Sequence, residues 1–271
     1  KNAMNLFDLS GKVAVVIGGT GVLGGAIARG LAGHGATVAV LGRSQERGRQ
    51  RIREIEDVGG RAVFVSTDAT DPSSLRVAHE TICQDLGAAD ILVNAAGGNQ
   101  DMVTVTDERC VEQILPDDWR SCFDLNLVGG ALLPCQEFGP AMIERGRGSI
   151  VNIASIAAHI PLSRVVAYSS AKAALVSLTQ FLSREWATQG VRVNSITPGF
   201  FPAEQNRRLL YEEDGTPTLR AQQILSHTPM DRFGAPEELV GAAVFLASDS
   251  ASGFVTGTDV RVDGGFLSTT I

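Results

Sequence analysis

The chain has no surplus of positive charge: 23 Lys and Arg stand against 30 Asp and Glu, a formal net charge of −7, and no basic stripe offsets it. This balance argues against a nucleic-acid or anionic-membrane partner. A long apolar run is missing too. The longest charge-free stretch, residues 13–28, is broken by five glycines and falls short of the ~18 residues that suggest a membrane span. Cys83, Cys110, Cys122 and Cys135 are scattered, with neither C-x-x-C spacing nor neighbouring His. No metal site is expected from them, and reduced thiols of a cytoplasmic protein are the simplest reading. No secretory leader is recognised. Repeats, low-complexity tracts and Pro/Gly/Ser linkers are also lacking, so one domain over residues 4–271 is expected, with Lys1, Asn2 and Ala3 read as an expression remnant ahead of it.

What is there is a regular alternation. At 271 residues and 44% apolar composition, one core can be buried by a single domain. Short β-branched runs at 13–17, 37–41, 62–66, 91–94, 149–154, 192–196 and 260–262 read as strands. Helix-period segments fall between them at 23–33, 45–58, 73–86, 117–144, 167–189 and 237–247. This is the pattern of an α/β fold: a doubly wound parallel sheet of about seven strands with helices on both faces. The Arg- and Glu-dense segment 43–57 reads as the solvated side of an outer helix. One stretch breaks the alternation. Residues 200–232 are polar and contain Pro202, Pro217 and Pro229, as expected of an irregular lid or binding loop, the plainer alternative being a surface insertion.

After the first strand the chain runs Gly18-Gly19-Thr20-Gly21-Val22-Leu23-Gly24-Gly25. A glycine-rich turn that opens a helix lets the backbone approach a pyrophosphate and offers it free N–H groups. The tip of the second strand, Leu41-Gly42-Arg43-Ser44, carries no carboxylate to hold ribose hydroxyls. Arg43 would instead pair with a 2′-phosphate, so NADP(H) is expected over NAD(H). Asp68 and Ala69 after the third strand are candidates for the adenine side, and Asn94, Ala95, Ala96 and Gly97 after the fourth for the ribose side. Turn chemistry is the alternative for Asp68 and Asn94. Tyr168 and Lys172 lie four apart, which on a helix puts phenol and ammonium on one face. A cation beside a phenol lowers its pKa from about 10, making a tuned proton donor. Ser155, at the end of an apolar run, would aim its hydroxyl at the same spot.

Together these residues resemble the short-chain dehydrogenase/reductase family over nearly the whole chain. The resemblance rests on Gly18 to Gly24, Asp68, Asn94 to Gly97, Asn126 in Asn-Leu-Val-Gly, Ser155, Tyr168-x-x-x-Lys172, Pro198-Gly199 and the ending Val262-Asp263-Gly264-Gly265. It implies a Rossmann-type sheet and an NAD(P)-dependent interconversion of ketone and alcohol. Tyr168 would exchange a proton with the substrate oxygen and Ser155 would hydrogen-bond it. Lys172 would lower the Tyr168 pKa and hold the nicotinamide ribose, Asn126 would hold a water of the proton relay, and Pro198, Gly199 and Phe201 would bind the cofactor. Family members commonly form tetramers, so a homo-oligomer, tetramer or dimer, is implied, with Phe254, Phe266 and Ile271 as candidate contacts or core. Ile17, Val22, Ala95 and Ala203 depart from the family pattern.

A narrower resemblance joins Ala96 to Asn99, Pro198 to Phe201, Glu204 to Arg207 and Glu213 to Thr218 to the D-mannonate oxidoreductase (fructuronate reductase) subgroup, whose substrates are sugar acids. Such a substrate needs a cation for its carboxylate and polar groups for its hydroxyls. Arg164 is the candidate for the first, and Asn99, His159, Gln205, Asn206 and Arg207 are further substrate candidates. Reduction of another small molecule, such as a 3-oxoacyl thioester or a sugar or polyol, is the competing expectation. A dinucleotide sensor without chemistry would be expected to lack Tyr168 or Lys172.

Overall fold

The β-branched segments pair as one sheet because the central ones are apolar on both faces, which only helices above and below can cover. The computed structural model describes residues 5–203 and 207–270, so the leading residues 1–3, with Met4, lie outside it. Seven parallel strands run β1 Val13–Ile17, β2 Thr37–Gly42, β3 Arg61–Ser66, β4 Ile91–Asn94, β5 Gly148–Ile153, β6 Val191–Pro198 and β7 Asp259–Val262, in the order β3-β2-β1-β4-β5-β6-β7. The expected doubly wound sheet is the fold found.

Alternation along β1 builds the two cores. Ala14 and Val16 face a cluster with Ile27 and Leu31 of α1 (Val22–Gly33) and Val244 of α9 (Val240–Ala247). Val13, Val15 and Ile17 face the other way, toward Leu75 and Ile82 of α3 (Pro72–Asp85), Phe138 of α5 (Leu133–Glu144) and Leu182 of α6 (Val166–Trp186). All five strand residues are buried. Each Val or Ile so buried contributes roughly 1.5–3 kcal/mol, which fixes the register. Further helices include α2 Gln45–Glu56, α4 Pro116–Phe123 and α10 Asp249–Ser252.

Two departures from the sequence reading bear on the site. The segment expected as one helix over 117–144 is α4, then a π-helical stretch Asp124–Leu132, then α5. Residues 200–232 are not irregular throughout: they hold α7 Arg207–Leu210 and α8 Leu219–His227. The polar composition hid α8, yet its signals are present. Thr218 caps it by accepting from the Ala221 N–H at 3.2 Å, and Ala221 and Ile224 make a short apolar stripe.

The chain returns toward opposite edges after β1 and after β4, so a crevice opens at the carboxyl ends of these neighbouring strands. No helix among the described residues is long and apolar enough to cross a membrane, and no cluster of His, Cys, Asp and Glu there could hold a metal.

Candidate active site

Two adjoining cavities of about 280 and 290 Å³ follow that crevice and share Gly21 and Ala95 to Gly98. Gly18 turns the chain at φ 72°, where a Cβ would stand 2.7 Å from the Ala96 nitrogen. A Cβ on Gly24 would meet the Gly18 carbonyl at 2.5 Å. The turn is thus a cradle that side chains would fill, above the N-terminus of α1 with its unpaired N–H groups. This fits a dinucleotide pyrophosphate. Val22, in place of the family's usual glycine, and Leu23 line the wall beside Gly24.

Thr20, Arg43, Asp68, Ala69 and Asn99 line the cavity at the tips of β2 and β3, and Arg47 joins them. Asp68 accepts from the Thr70 hydroxyl at 2.7 Å and the Thr70 N–H at 2.9 Å, which hold its carboxyl below the usual range. Sequence reasoning missed Arg51. Its guanidinium lies over Gly25, pairs with Glu54 and reaches the Gly21 carbonyl at 3.4 Å, tying α2 to the turn.

Asn94 does not line the crevice. It is fully buried beneath it, donating from Nδ2 to Asn152 Oδ1 at 2.8 Å, and Asn152 donates to Thr179 Oγ1 at 2.9 Å. This polar chain ties β4, β5 and α6 together under the site. Of its strand residues, Asn152 carries no sequence signature beyond an Asn in an apolar run.

Tyr168 and Lys172 line the other cavity with Gly199, Phe200, Phe201 and Ala203, where Pro198 ends β6. Tyr168 and Ser155 are hydrogen-bonded, and Ser155 also caps the turn at Ile156 by accepting from the Ala157 N–H at 3.2 Å. Lys172 is 4% exposed and donates from Nζ to the Ile153 carbonyl at 2.8 Å. Asn126 is fully buried at the start of the π-helical stretch. It donates to the Gly98 and Cys122 carbonyls, both at 2.9 Å, and accepts the Gly98 N–H at 2.8 Å. A Cβ on Gly97 would come 2.7 Å from Asn126 Oδ1 and 3.3 Å from Lys172 Nζ, so Asn126, Lys172 and the loop after β4 converge.

The expected depression of the Tyr168 pKa by Lys172 is corrected. Burial raises the phenol, the Ser155 bond opposes that rise, and Lys172 Nζ stands 5.8 Å from the ring centroid with its bond turned to Ile153. The same burial lowers Lys172 to about 8. An ammonium in a low-dielectric wall loses hydration, and the wall disfavours the phenolate likewise.

The substrate candidates are less gathered. Asn99 Nδ2 donates to Thr104 Oγ1 at 2.6 Å. His159 turns its Nε2 to Thr197 Oγ1 at 3.1 Å and Asp259 Oδ2 at 3.2 Å, binding the loop after β5 to β6 and β7. Arg164 pairs with exposed Asp107 at 3.5 Å. Gln205 and Asn206 lie outside the described residues, and Arg207 opens α7.

Comparison with known proteins places the chain among dehydrogenases. A family model described as enoyl-(acyl carrier protein) reductase matches residues 20–267. An uncharacterized oxidoreductase, UxuB, of Bacillus subtilis (strain 168) is 43% identical over 270 residues, covering 96% of each chain. A proposed D-mannonate oxidoreductase of Haemophilus influenzae, solved with bound NAD, superposes with a TM-score of 0.91 at 36% identity and covers 97% of both chains. A gluconate 5-dehydrogenase of Burkholderia cenocepacia J2315, in complex with NADP and tartrate, gives 0.87 at 33% identity, over 98% of this chain and 99% of that one.

Proposed function

The chain belongs to the short-chain dehydrogenase/reductase family, oxidoreductases that act on CH–OH groups with a nicotinamide dinucleotide, and from that premise we propose that it interconverts the ketone and secondary alcohol of a sugar acid of the D-mannonate or D-fructuronate kind. The observation that carries the reaction is the hydrogen-bonded Ser155–Tyr168 pair, with Tyr168 and Lys172 lining the same cavity as Gly21 to Gly24 of the cradle. The sugar acid is supported by the two solved neighbours, named for mannonate and gluconate chemistry.

When bound, the dinucleotide supplies or takes the hydride. Gly18 to Gly24 would hold its pyrophosphate, Ala95 to Gly97 its ribose side, and Gly199 and Phe201 its nicotinamide end. The substrate oxygen sits between the Ser155 hydroxyl and the Tyr168 phenol. Charge developing there in reduction is met by the phenol proton, which burial keeps in place at neutral pH. Lys172 and Asn126 complete the path by which that proton is replaced. Arg43, with Arg47 beside it, selects NADP(H) over NAD(H). The catalytic domain spans residues 4–271, residues 200–232 form the lid over the substrate, and the enzyme works as a cytoplasmic homo-oligomer on a small molecule.

The test is turnover of D-fructuronate and D-mannonate with both cofactors, beside polyols, steroids and 3-oxoacyl thioesters. Activity confined to a non-acidic substrate would sink the sugar-acid reading. Tyr168→Phe is expected to lower kcat at least a hundredfold while changing cofactor affinity less than about threefold, within the range of general acid catalysis. Substantial residual turnover would refute the role of Tyr168.

A further inference from the structure

Ser155 stands at the head of a short turn, and His159 stands at its foot. The turn, Ile156–Ala158, is closed by bonds from the Ala158 N–H to the Ser155 carbonyl at 2.9 Å and from the His159 N–H to the Ile156 carbonyl at 3.0 Å. Ile156 and Ala157 are buried, so Ser155 to His159 form one seated unit. The hydroxyl bonded to Tyr168 is at one end and an imidazole is at the other.

The neighbouring strands clasp that imidazole. Its Nε2 lies 3.1 Å from Thr197 Oγ1 on β6 and 3.2 Å from Asp259 Oδ2 at the start of β7, and its side chain is mostly enclosed. Ser195 and Thr197 donate their hydroxyl protons to Asp259 Oδ1, at 2.6 and 2.9 Å. Thr197 Oγ1 therefore faces His159 as an acceptor, and Nε2 carries the proton of that bond. Asp259 Oδ2 is enclosed and receives no hydrogen bond, and among the described residues His159 is its ion-pair partner. A buried carboxylate oxygen without a donor is costly. The N–H edge of the imidazole, positive whether or not the ring is charged, offsets that cost. Thr197 leads through Pro198 into Gly199 and Phe200, which line the cavity with Tyr168 and Lys172. The clasp thus sets how far the Ser155 turn stands from the strand end that borders the site.

We propose that His159 is a positioning residue for the reaction: its bond to Thr197 and its pairing with Asp259 hold the Ser155 turn against β6 and β7, which keeps the Ser155 hydroxyl on the substrate oxygen. The role rests on the placing of Ser155 at the reacting oxygen and is independent of which substrate is turned over. Reaction rates are steep in such geometry, a misplacement of about 1 Å costing on the order of a hundredfold.

The test is steady-state turnover of D-mannonate by the full chain and by His159→Ala, with NADP or NAD, whichever supports turnover, and with the affinity for that cofactor read by calorimetry. His159→Ala is expected to lower kcat at least about tenfold, while KM and cofactor affinity change less than about threefold. His159→Gln, whose amide keeps an N–H near the Nε2 position, is expected to restore most of kcat. Thr197→Val removes the same bond from the β6 side and is expected to give the pattern of His159→Ala, which serves if the Ala variant folds poorly. An unchanged kcat, a rise in KM in place of the fall in kcat, a parallel loss of cofactor affinity, or no recovery in the Gln variant would overturn the inference. If the natural chain turns over only a polyol, a steroid or a 3-oxoacyl thioester, the expected pattern on that substrate would support the inference and sink the sugar-acid reading; no turnover of any of them would overturn both.

Discussion

At the scale of the residue, the site is governed by which charges the fold keeps dry. Lys172 holds its proton only up to about 8, against 10.5 for a free lysine, because burial disfavours the ammonium. The unfolded chain keeps that proton to higher pH, so stability rises between about pH 8 and 10.5, and the cost of the buried charge is fully present below 8. Ketone reduction, which uses the charged form, is expected to fall as pH rises through about 8. Lys172→Arg should move that limb upward, since a guanidinium stays charged beyond about pH 12. A pH profile of kcat/KM that is flat through this range, or unmoved in the variant, would contradict the role of Lys172. Arg43 is exposed where it lines the cavity. Arg43→Asp is expected to lower the NADP-to-NAD ratio of kcat/KM at least tenfold, a carboxylate repelling the 2′-phosphate and accepting ribose hydroxyls; an unchanged ratio would remove Arg43 from cofactor selection.

At the scale of the element, the π-helical stretch decides how the site is assembled. Its glycines bring it against two loops: a Cβ on Gly129 would stand 2.8 Å from the Ala69 carbonyl, and one on Gly130 would stand 3.2 Å from that of Ala96. Asn126 then reaches the Gly98 backbone in both directions. π-Helical insertions recur at functional sites. Asn126→Ala leaves the Gly98 groups without their partner and is expected to destabilise the fold by about 2 kcal/mol. Chemical denaturation reads that loss, and turnover should fall with it. A variant of native stability would show that the Gly98 contact is not structural. Asn-Leu-Val-Gly was readable as a motif, but the change of helical pitch was not, because the apolar period continues across it. Helix α8 was missed for the opposite reason: its apolar stripe is too short to stand out among polar residues.

At the scale of the whole molecule, one end of the sheet is open. β7 is a four-residue edge strand, and Phe254, just before it, is fully exposed. Exposed aromatic surface beside an unpaired strand edge is the kind of surface proteins cover by association. Phe266, by contrast, is core, and Ile271 lies outside the described residues. Light scattering is expected to give a multiple of the 28.6 kDa chain mass, and Phe254→Asp should lower it; a monomer in both would exclude this edge as the interface.

The amino-acid sequence by itself determined the layered sheet, since apolar runs of strand length alternating with helix-period segments admit few other ways to bury their faces. It also determined the residues of the cradle and of the Ser155, Tyr168 and Lys172 group, whose spacing and neighbours in the chain carry the information. Tertiary structure alone decided the rest. It set the direction of the Tyr168 pKa, because burial is a property of packing and not of spacing. It turned His159 away to Asp259 and set Asn94 beneath the crevice.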